Sequence, residues 1–458
     1  MPLLSFIHQR GGDVTSKSHR TQAAGEGLSG IDTVRPGALR CRYGSWLPHR
    51  LPVEGPGGDP LGVPEMEATQ GWLSGAGRLS GRDGYMMRTA FAYTEKYFNY
   101  DYGSAHPLRI ERLRMTYELC RVYGLLDLPG VRIIEVESAP EEAVLGFHTA
   151  AYVNALKRAS RGELSGYYTH GLGPGDNPMF DGLWEWSCLA TGASLQGARL
   201  VAQGEVDTAF NIAGGLHHAG AYRASGFCYL NDPVIAILSL LETGARVLYL
   251  DIDAHHGDGV QWAFYEDPRV MTVSFHQDGR TLFPGCGRVT EIGREAGKGA
   301  AVNVPMLPGT DDAVFWRGFE AVVPRLMAAF DPDVIVSQLG VDTFVDDPLA
   351  NLELTTNGFC RVVTYLRDLG KPWLALGGGG YNLSNVARAW TLTWAIMNRV
   401  DLPVGLPKSV RGWVRGAGEA GDRLRDPEHR SRRHDMCARY MAETVKTLDR
   451  SLMPLWGG

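Results

Sequence analysis

From residue 88 to about 400 the chain alternates short apolar runs with longer amphipathic stretches, the pattern of successive β-strand and α-helix units. The apolar runs are 206–212 (VDTAFNI), 246–250 (RVLYL), 270–275 (VMTVSF), 333–339 (DVIVSQL) and 373–376 (WLAL). Each is short and nearly all apolar, as a strand covered on both faces must be, so together they predict a mainly parallel sheet between helical layers. Helices are predicted over 107–123, 181–203, 232–243, 313–329 and 357–369. Residues 401–458 turn polar and carry an arginine-rich run (Arg423, Arg425, Arg430, Arg432, Arg433) that reads as a solvated face. They end in a predicted helix near 435–452. No internal repeat is present.

The start of the chain is different. Sixteen of the first 85 residues are glycine, prolines punctuate 52–64, and no apolar periodicity persists. Such a segment cannot offset its ordering entropy. Residues 1–87 are therefore expected to be a disordered extension, or to lie upstream of a natural start at Met86 or Met87. The domain expectation is a catalytic unit at 88–400 and a C-terminal extension at 401–458 whose helix packs on it or trails from it. With 44% hydrophobic residues among 458 the chain can bury a large core, and a net charge of −6 speaks against a nucleic-acid-binding protein. Seven cysteines at long spacings, with no CxxC pair, argue against a disulfide framework and a cysteine zinc site. No stretch is long and apolar enough for a membrane span and no secretory signal is evident, so a reducing, cytoplasmic location is expected.

Residues able to bind metal or move protons follow four of these runs. The first leads to Gly214-Gly215-Leu216-His217-His218, and the second to Asp251-Ile252-Asp253-Ala254-His255-His256-Gly257-Asp258. The fourth leads to Asp342 and the fifth to four glycines and Tyr381. In parallel α/β sheets the carboxyl edge of the strands is where ligands bind. Alternate side chains of extended chain share a face, so Asp251, Asp253 and His255 point three potential ligands the same way. A divalent ion could bind any two of them, with Asp342 a natural third; zinc accepts both imidazole and carboxylate. The tandem histidines offer a general base beside such an ion, with Asp251 and Asp258 available to orient the rings. Tyr381 offers a phenol to a developing oxyanion.

The stretches GGLHHAGAYRASGFCYLND, YLDIDAHHGDGVQWAFYEDPRVMTVSFH and LGGGGYNLSNVARAW resemble the signature blocks of the histone deacetylase superfamily. The similarity runs from about Tyr100 to Trp394. HHGDGV resembles the class I enzymes and the bacterial acetoin utilization proteins, and DIDAHHGDGVQ is most similar to the acetoin utilization branch. The resemblance implies an arginase-like three-layer α/β fold, with a central eight-stranded, mainly parallel sheet and an acetyl-lysine tunnel leading to zinc. It implies Asp253, His255 and Asp342 as metal ligands and Tyr381 as the tyrosine that polarises the acetyl carbonyl. His217 and His218 match the tandem histidines, backed by Asp251 and Asp258. His218 would be the principal general base and acid, and His217 would act electrostatically. Phe227 and Phe283 match the tunnel walls, Gly226 a backbone acceptor for the lysine amide, Leu349 a rim residue, and Asp176 the rim aspartate that grips substrate backbone. Asp251 and Ser274 resemble part of a structural potassium site. Glu111 stands where eukaryotic relatives often have histidine, although Arg112 keeps the inner-cavity arginine.

The expected activity is zinc-dependent hydrolysis of the N-acetyl-lysine amide of a protein or peptide, with iron(II) as an alternative ion. The nearest branch suggests an acetylated metabolic enzyme such as acetyl-CoA synthetase as the partner, with no membrane and no direct nucleic-acid binding. The rivals are deacetylation of small acetylated amines such as polyamines, a manganese ureohydrolase of the same fold, and a silent acetyl-lysine-binding scaffold.

Overall fold

The computed structural model of the protein describes residues 87–163, 170–412, 414 and 421–456. The expected N-terminal extension, 1–87, lies outside the described residues except for Met87. Eight strands form one sheet: β1 (Thr89–Tyr93), β2 (Val131–Glu135), β3 (Thr208–Asn211), β4 (Val247–Asp251), β5 (Val270–Gln277), β6 (Ala301–Met306), β7 (Val334–Gln338) and β8 (Trp373–Leu376). Their order is β2-β1-β3-β8-β7-β4-β5-β6, and every pairing is parallel. All residues of β1 and of β3 to β8 are buried, which explains their apolar runs. The eight-stranded α/β architecture is the one the resemblance implies.

Five strands fall on the predicted runs, with ends shifted by up to two residues. β1, β2 and β6 were not predicted. In β2, an edge strand, only Ile134 is buried, so no apolar run marks it. β6, the other edge, is interrupted by Asn303 and Pro305; proline is tolerated there because an edge strand need not donate on its open side.

The predicted helices form at Glu111–Val122, Leu183–Ala202, Asp232–Leu241, Asp312–Phe330 and Thr356–Asp368. Two longer ones went unpredicted, Ala150–Ser160 and Leu383–Met397. The second is nearly all buried and carries Trp390 and Trp394, whose indole N–H groups donate to Leu339 O (2.9 Å) and Leu125 O (3.1 Å). A buried tryptophan needs such a partner. The C-terminal helix, His434–Leu452, packs against helix Asp312–Phe330 and β6. Its first residue, His434, meets the Asp311 carboxylate at 2.7 Å. Within the arginine-rich run Arg423, Arg430, Arg432 and Arg433 are exposed and Arg425 half-buried. The neighbouring Asp426 instead forms a buried pair with Arg388 at 2.6 Å.

Candidate metal and catalytic centre

The four strands whose carboxyl ends carry chemistry, β3, β8, β7 and β4, are consecutive in the sheet. Parallel pairing aligns those ends, so four segments distant in sequence meet at one edge. Their turns pack backbone to backbone. Gly215 has φ of 86°, and a Cβ there would lie 2.8 Å from Gly378 N, so only glycine lets the turn after β3 rest on the turn after β8.

Asp253, His255 and Asp342 converge: one ligand atom from each lies within 4.8 Å of the others, and all three side chains are buried. His255 Nδ1 stands 3.1 Å from Asp253 Oδ1 and 2.9 Å from Asp342 Oδ2. The carboxylates are oriented from behind. Asp253 Oδ2 accepts from Gln338 Nε2 (2.6 Å) and Gly379 N (2.7 Å), and Asp342 Oδ1 accepts from Ala254 N (2.8 Å). Burial, aided by the neighbouring charge of Asp253, raises Asp342 to about 7. Against the same burial, His217 and His255 hold Asp253 well below the usual carboxylate range. His255 is lifted to about 10 by the two carboxylates despite its desolvation. Two carboxylates sharing one proton-bearing imidazole in a dry site form a donor set that a divalent cation fits: one nitrogen and two oxygens, converging and already oriented.

Beside this cluster, His217 Nδ1 meets Asp251 Oδ2 at 2.7 Å and His218 Nδ1 meets Asp258 Oδ1 at 2.7 Å. The two Nε2 atoms face each other at 3.0 Å. Asp251 also accepts from the Tyr249 hydroxyl at 2.7 Å. Their environments separate the rings. Burial opposes charge on both, yet Asp251 and Asp253 lift His217 to about 9, whereas burial and the charge of His217 push His218 below its ordinary value. The carboxylates thus favour charge on His217, and burial beside it favours the neutral ring of His218.

Tyr381 is held by its backbone: its N–H donates to Asp347 Oδ2 at 2.8 Å, and Asp347 Oδ1 accepts from Leu349 N at 2.9 Å. Asp347 thus links the expected rim residue to the tyrosine. The ring of Phe227 stands edge-on to Tyr381 at 5.7 Å, and that of Phe283 edge-on to His218 at 5.0 Å. A Cβ on Gly226 would lie 2.5 Å from His218 Cδ2 and 2.9 Å from Phe283, so glycine keeps this space clear. Asp176 is exposed, and its carbonyl receives His106 Nε2 at 3.3 Å; the His106 ring in turn contacts Phe227 at 4.6 Å. Ser274 pairs in register with Asp251 across β4 and β5, and its hydroxyl meets His276 Nδ1 at 2.9 Å. Arg112 is buried, donates to Gly380 O (3.0 Å) and borders, with Leu108, Trp186, Ala213 and Leu216, a gap too tight to hold a water molecule. Glu111 turns to Arg109 at 2.5 Å.

Gln338, Asp347, His106 and Tyr249 were not singled out from sequence. Gln338 carried a usable signal, since with Ser337 it forms a polar pair at the end of an apolar run. His148 is another. Its Nε2 accepts the Asn231 N–H at 3.0 Å, and the Asn231 amide donates to the carbonyls of His217 (3.1 Å) and Ala219 (2.8 Å). Burial pushes His148 down to about 4. The unfolded histidine takes its proton near 6.5, so between the two values the unfolded chain binds more protons and stability falls as pH drops. This group contributes on the order of 3 kcal/mol above that window, lost as pH falls through about 4. The wild-type urea-unfolding free energy is expected to fall more steeply from pH 6.5 to 4 than that of His148→Asn. Parallel profiles for the two proteins would refute the assignment.

Comparison with known proteins identifies the family. The histone deacetylase domain family matches residues 106–397. The chain is 42% identical over 323 residues to histone deacetylase RPD3 of Saccharomyces cerevisiae, covering 70% of this chain and 74% of that one. It is 41% identical over 328 residues to human histone deacetylase 1, covering 71% and 67%. A family match over most of the chain, with two relatives above 40% identity, places this chain in the histone deacetylase family.

Proposed function

We propose that this protein is a metal-dependent lysine deacetylase that hydrolyses the acetyl amide of lysine side chains in proteins. The observation that carries the reading is the convergence of Asp253, His255 and Asp342 beside the tandem histidines and Tyr381. When bound at those three ligands, a divalent cation, zinc by the donor set and iron(II) as the alternative, supplies Lewis acidity to the acetyl carbonyl and to the attacking water.

The chain's own residues do the rest. The Tyr381 hydroxyl donates to the carbonyl oxygen as negative charge develops there. His218, neutral because burial and His217 disfavour its charge, accepts the proton of the attacking water at Nε2 and returns it to the departing lysine amine. His217 remains charged against Asp251 and stabilises the anionic transition state. Phe227 and Phe283 bind the lysine methylenes, the Gly226 carbonyl takes the lysine amide N–H, and Asp176 and Leu349 meet the substrate backbone at the rim. A neutral acyl-lysine enters such a lining more readily than a charged free lysine.

The identity with RPD3 and human histone deacetylase 1 supports an acetylated protein tail such as a histone as substrate. Those comparisons lend no support to the acetoin utilization branch, so that placement, and acetyl-CoA synthetase as partner, rest on the DIDAHHGDGVQ motif. The register of Asp251 with Ser274 supports a potassium ion behind His217. Among the described residues, six free thiols, at Cys120, Cys188, Cys228, Cys286, Cys360 and Cys437, support a reducing, cytoplasmic location. No described helix is long and apolar enough to cross a membrane. The division into a catalytic unit at 88–400 and a C-terminal extension at 401–458 belongs to the same reading.

Acetate release from an acetyl-lysine peptide and from acetylspermidine at equal concentration tests the function. The expected result is a higher kcat/KM on the peptide, abolished by chelator and restored by zinc. Preference for the polyamine would overturn the protein-substrate reading, and activity indifferent to chelator would overturn the metal.

A further inference from the structure

The C-terminal helix, His434–Leu452, lies beyond the residues matched by the family, 106–397, yet it touches the loop that carries Phe283. That loop leaves the end of β5 at Gln277 and returns toward Gly287. Its base is organised around the buried Asp278 carboxylate. Oδ1 accepts from Arg280 N and Nε, both at 2.9 Å; Oδ2 accepts from Arg280 Nη2 and from the Tyr440 hydroxyl, both at 2.5 Å. Arg280 Nη2 also donates to the Tyr440 oxygen at 3.1 Å, so acid, base and phenol form a closed triangle.

The rest of the loop transmits that anchor. A Cβ on Gly279 would lie 2.6 Å from Cys286 O, so the outgoing and returning arms touch backbone to backbone. Thr281 Oγ1 donates to Asp278 O at 2.9 Å and accepts from Gln277 Nε2 at 3.1 Å. Gln277 Oε1 accepts from Asn351 N at 2.8 Å, two residues past the rim residue Leu349. Phe283, two residues past Thr281, stands 5.0 Å from His218. Arg280 alone is a weak anchor, because its side chain is 71% exposed and belongs to the same loop. Tyr440 reaches Asp278 from a packed helix on another part of the chain.

We propose that Tyr440 is a positioning residue for substrate binding: by holding Asp278 and Arg280 from the C-terminal helix, it fixes the Phe283 ring against the acyl-lysine stem. The inference rests on the deacetylase reading and extends it, since a segment outside the matched domain then sets the grip on substrate and the acyl length accepted. Tyr440→Phe in the full chain keeps the ring and removes the hydroxyl. With the zinc-loaded enzyme, KM for an acetyl-lysine peptide is expected to rise about fivefold while kcat stays within about twofold. The butyryl-lysine to acetyl-lysine ratio of kcat/KM is expected to rise about threefold as the wall gives way.

His434→Gln is the structural control, because it loosens the same helix at its contact with Asp311 rather than with Asp278. It is expected to lower Tm and leave KM unchanged. An unchanged KM and acyl ratio in Tyr440→Phe, or an equal KM rise in His434→Gln, would overturn the proposal. If the wild-type protein hydrolyses no acyl-lysine peptide, the deacetylase reading fails by itself, and hydrogen exchange decides the clasp. Faster exchange of the 278–287 amides in Tyr440→Phe than in wild type supports it, and equal exchange refutes it.

Discussion

Asp253→Ala is expected to remove both the bound metal and the activity, with acetate release falling about 10³-fold or more, the several kcal/mol that a Lewis acid supplies. One ligand of three is lost, and the two that remain lose their geometry. Asp253 Oδ1 fixes His255 through its backbone N–H at 2.9 Å and its ring at 3.1 Å, so the imidazole is freed as well. Alanine also removes the acceptor of the half-buried Gly379 N–H and leaves Gln338 Nε2 only its 3.3 Å bond to Gly215 O, at about 1 to 3 kcal/mol in all. The variant is therefore expected to be less stable as well as inactive. Asp253→Asn separates the two effects: it keeps the volume and an acceptor oxygen but removes the negative charge. Metal content by mass spectrometry, Tm and acetate release should be read together. Asp253→Asn is expected to hold its fold, bind less than a tenth of the wild-type zinc at equal free metal, about the effect of disturbing a coordination shell, and lose activity in proportion. Full metal content and full rate in either variant would refute the ligand assignment.

The chemistry of this centre was legible in the sequence because parallel strands confine their polar residues to the turns that follow them. Asp253, His255, Asp342 and Tyr381 each sit just past an apolar run, and the two-residue period of extended chain put Asp253 and His255 on one face. What no local pattern carries is sheet order: the adjacency of β3, β8, β7 and β4 depends on crossovers of many residues. The edge strands were illegible for a different reason. β2 buries one side chain and β6 carries Asn303 and Pro305, so neither shows the apolar run that marks a central strand. Supporting residues were harder still. Asp347 lies in a polar stretch where nothing distinguishes it from exposed Asp346, and its bond to Tyr381 N exists only in the folded turn. Tyr440 belongs to an amphipathic helix like any other, and its partner Asp278 is 162 residues away.

Tyr381→Phe is expected to keep the metal and the fold while kcat falls about 10²- to 10³-fold, the loss typical of one oxyanion donor. The ring is packed independently of its hydroxyl, by Phe227 at 5.7 Å and by the backbone bond to Asp347, so phenylalanine should occupy the same place. Burial and the nearby charges of Asp342 and Asp253 push the phenol well above its ordinary value, so it stays protonated and available as a donor throughout the working range. Because the hydroxyl bonds most strongly to a carbonyl oxygen that is becoming anionic, its loss should fall on kcat with little change in KM. Zinc content should remain stoichiometric, since no ligand contacts are removed, and this separates the variant from Asp253→Ala. A competitive inhibitor that coordinates the metal without an oxyanion should bind nearly as tightly as to wild type. Wild-type kcat in Tyr381→Phe would contradict the oxyanion role, and a KM increase with unchanged kcat would make Tyr381 part of the tunnel wall instead.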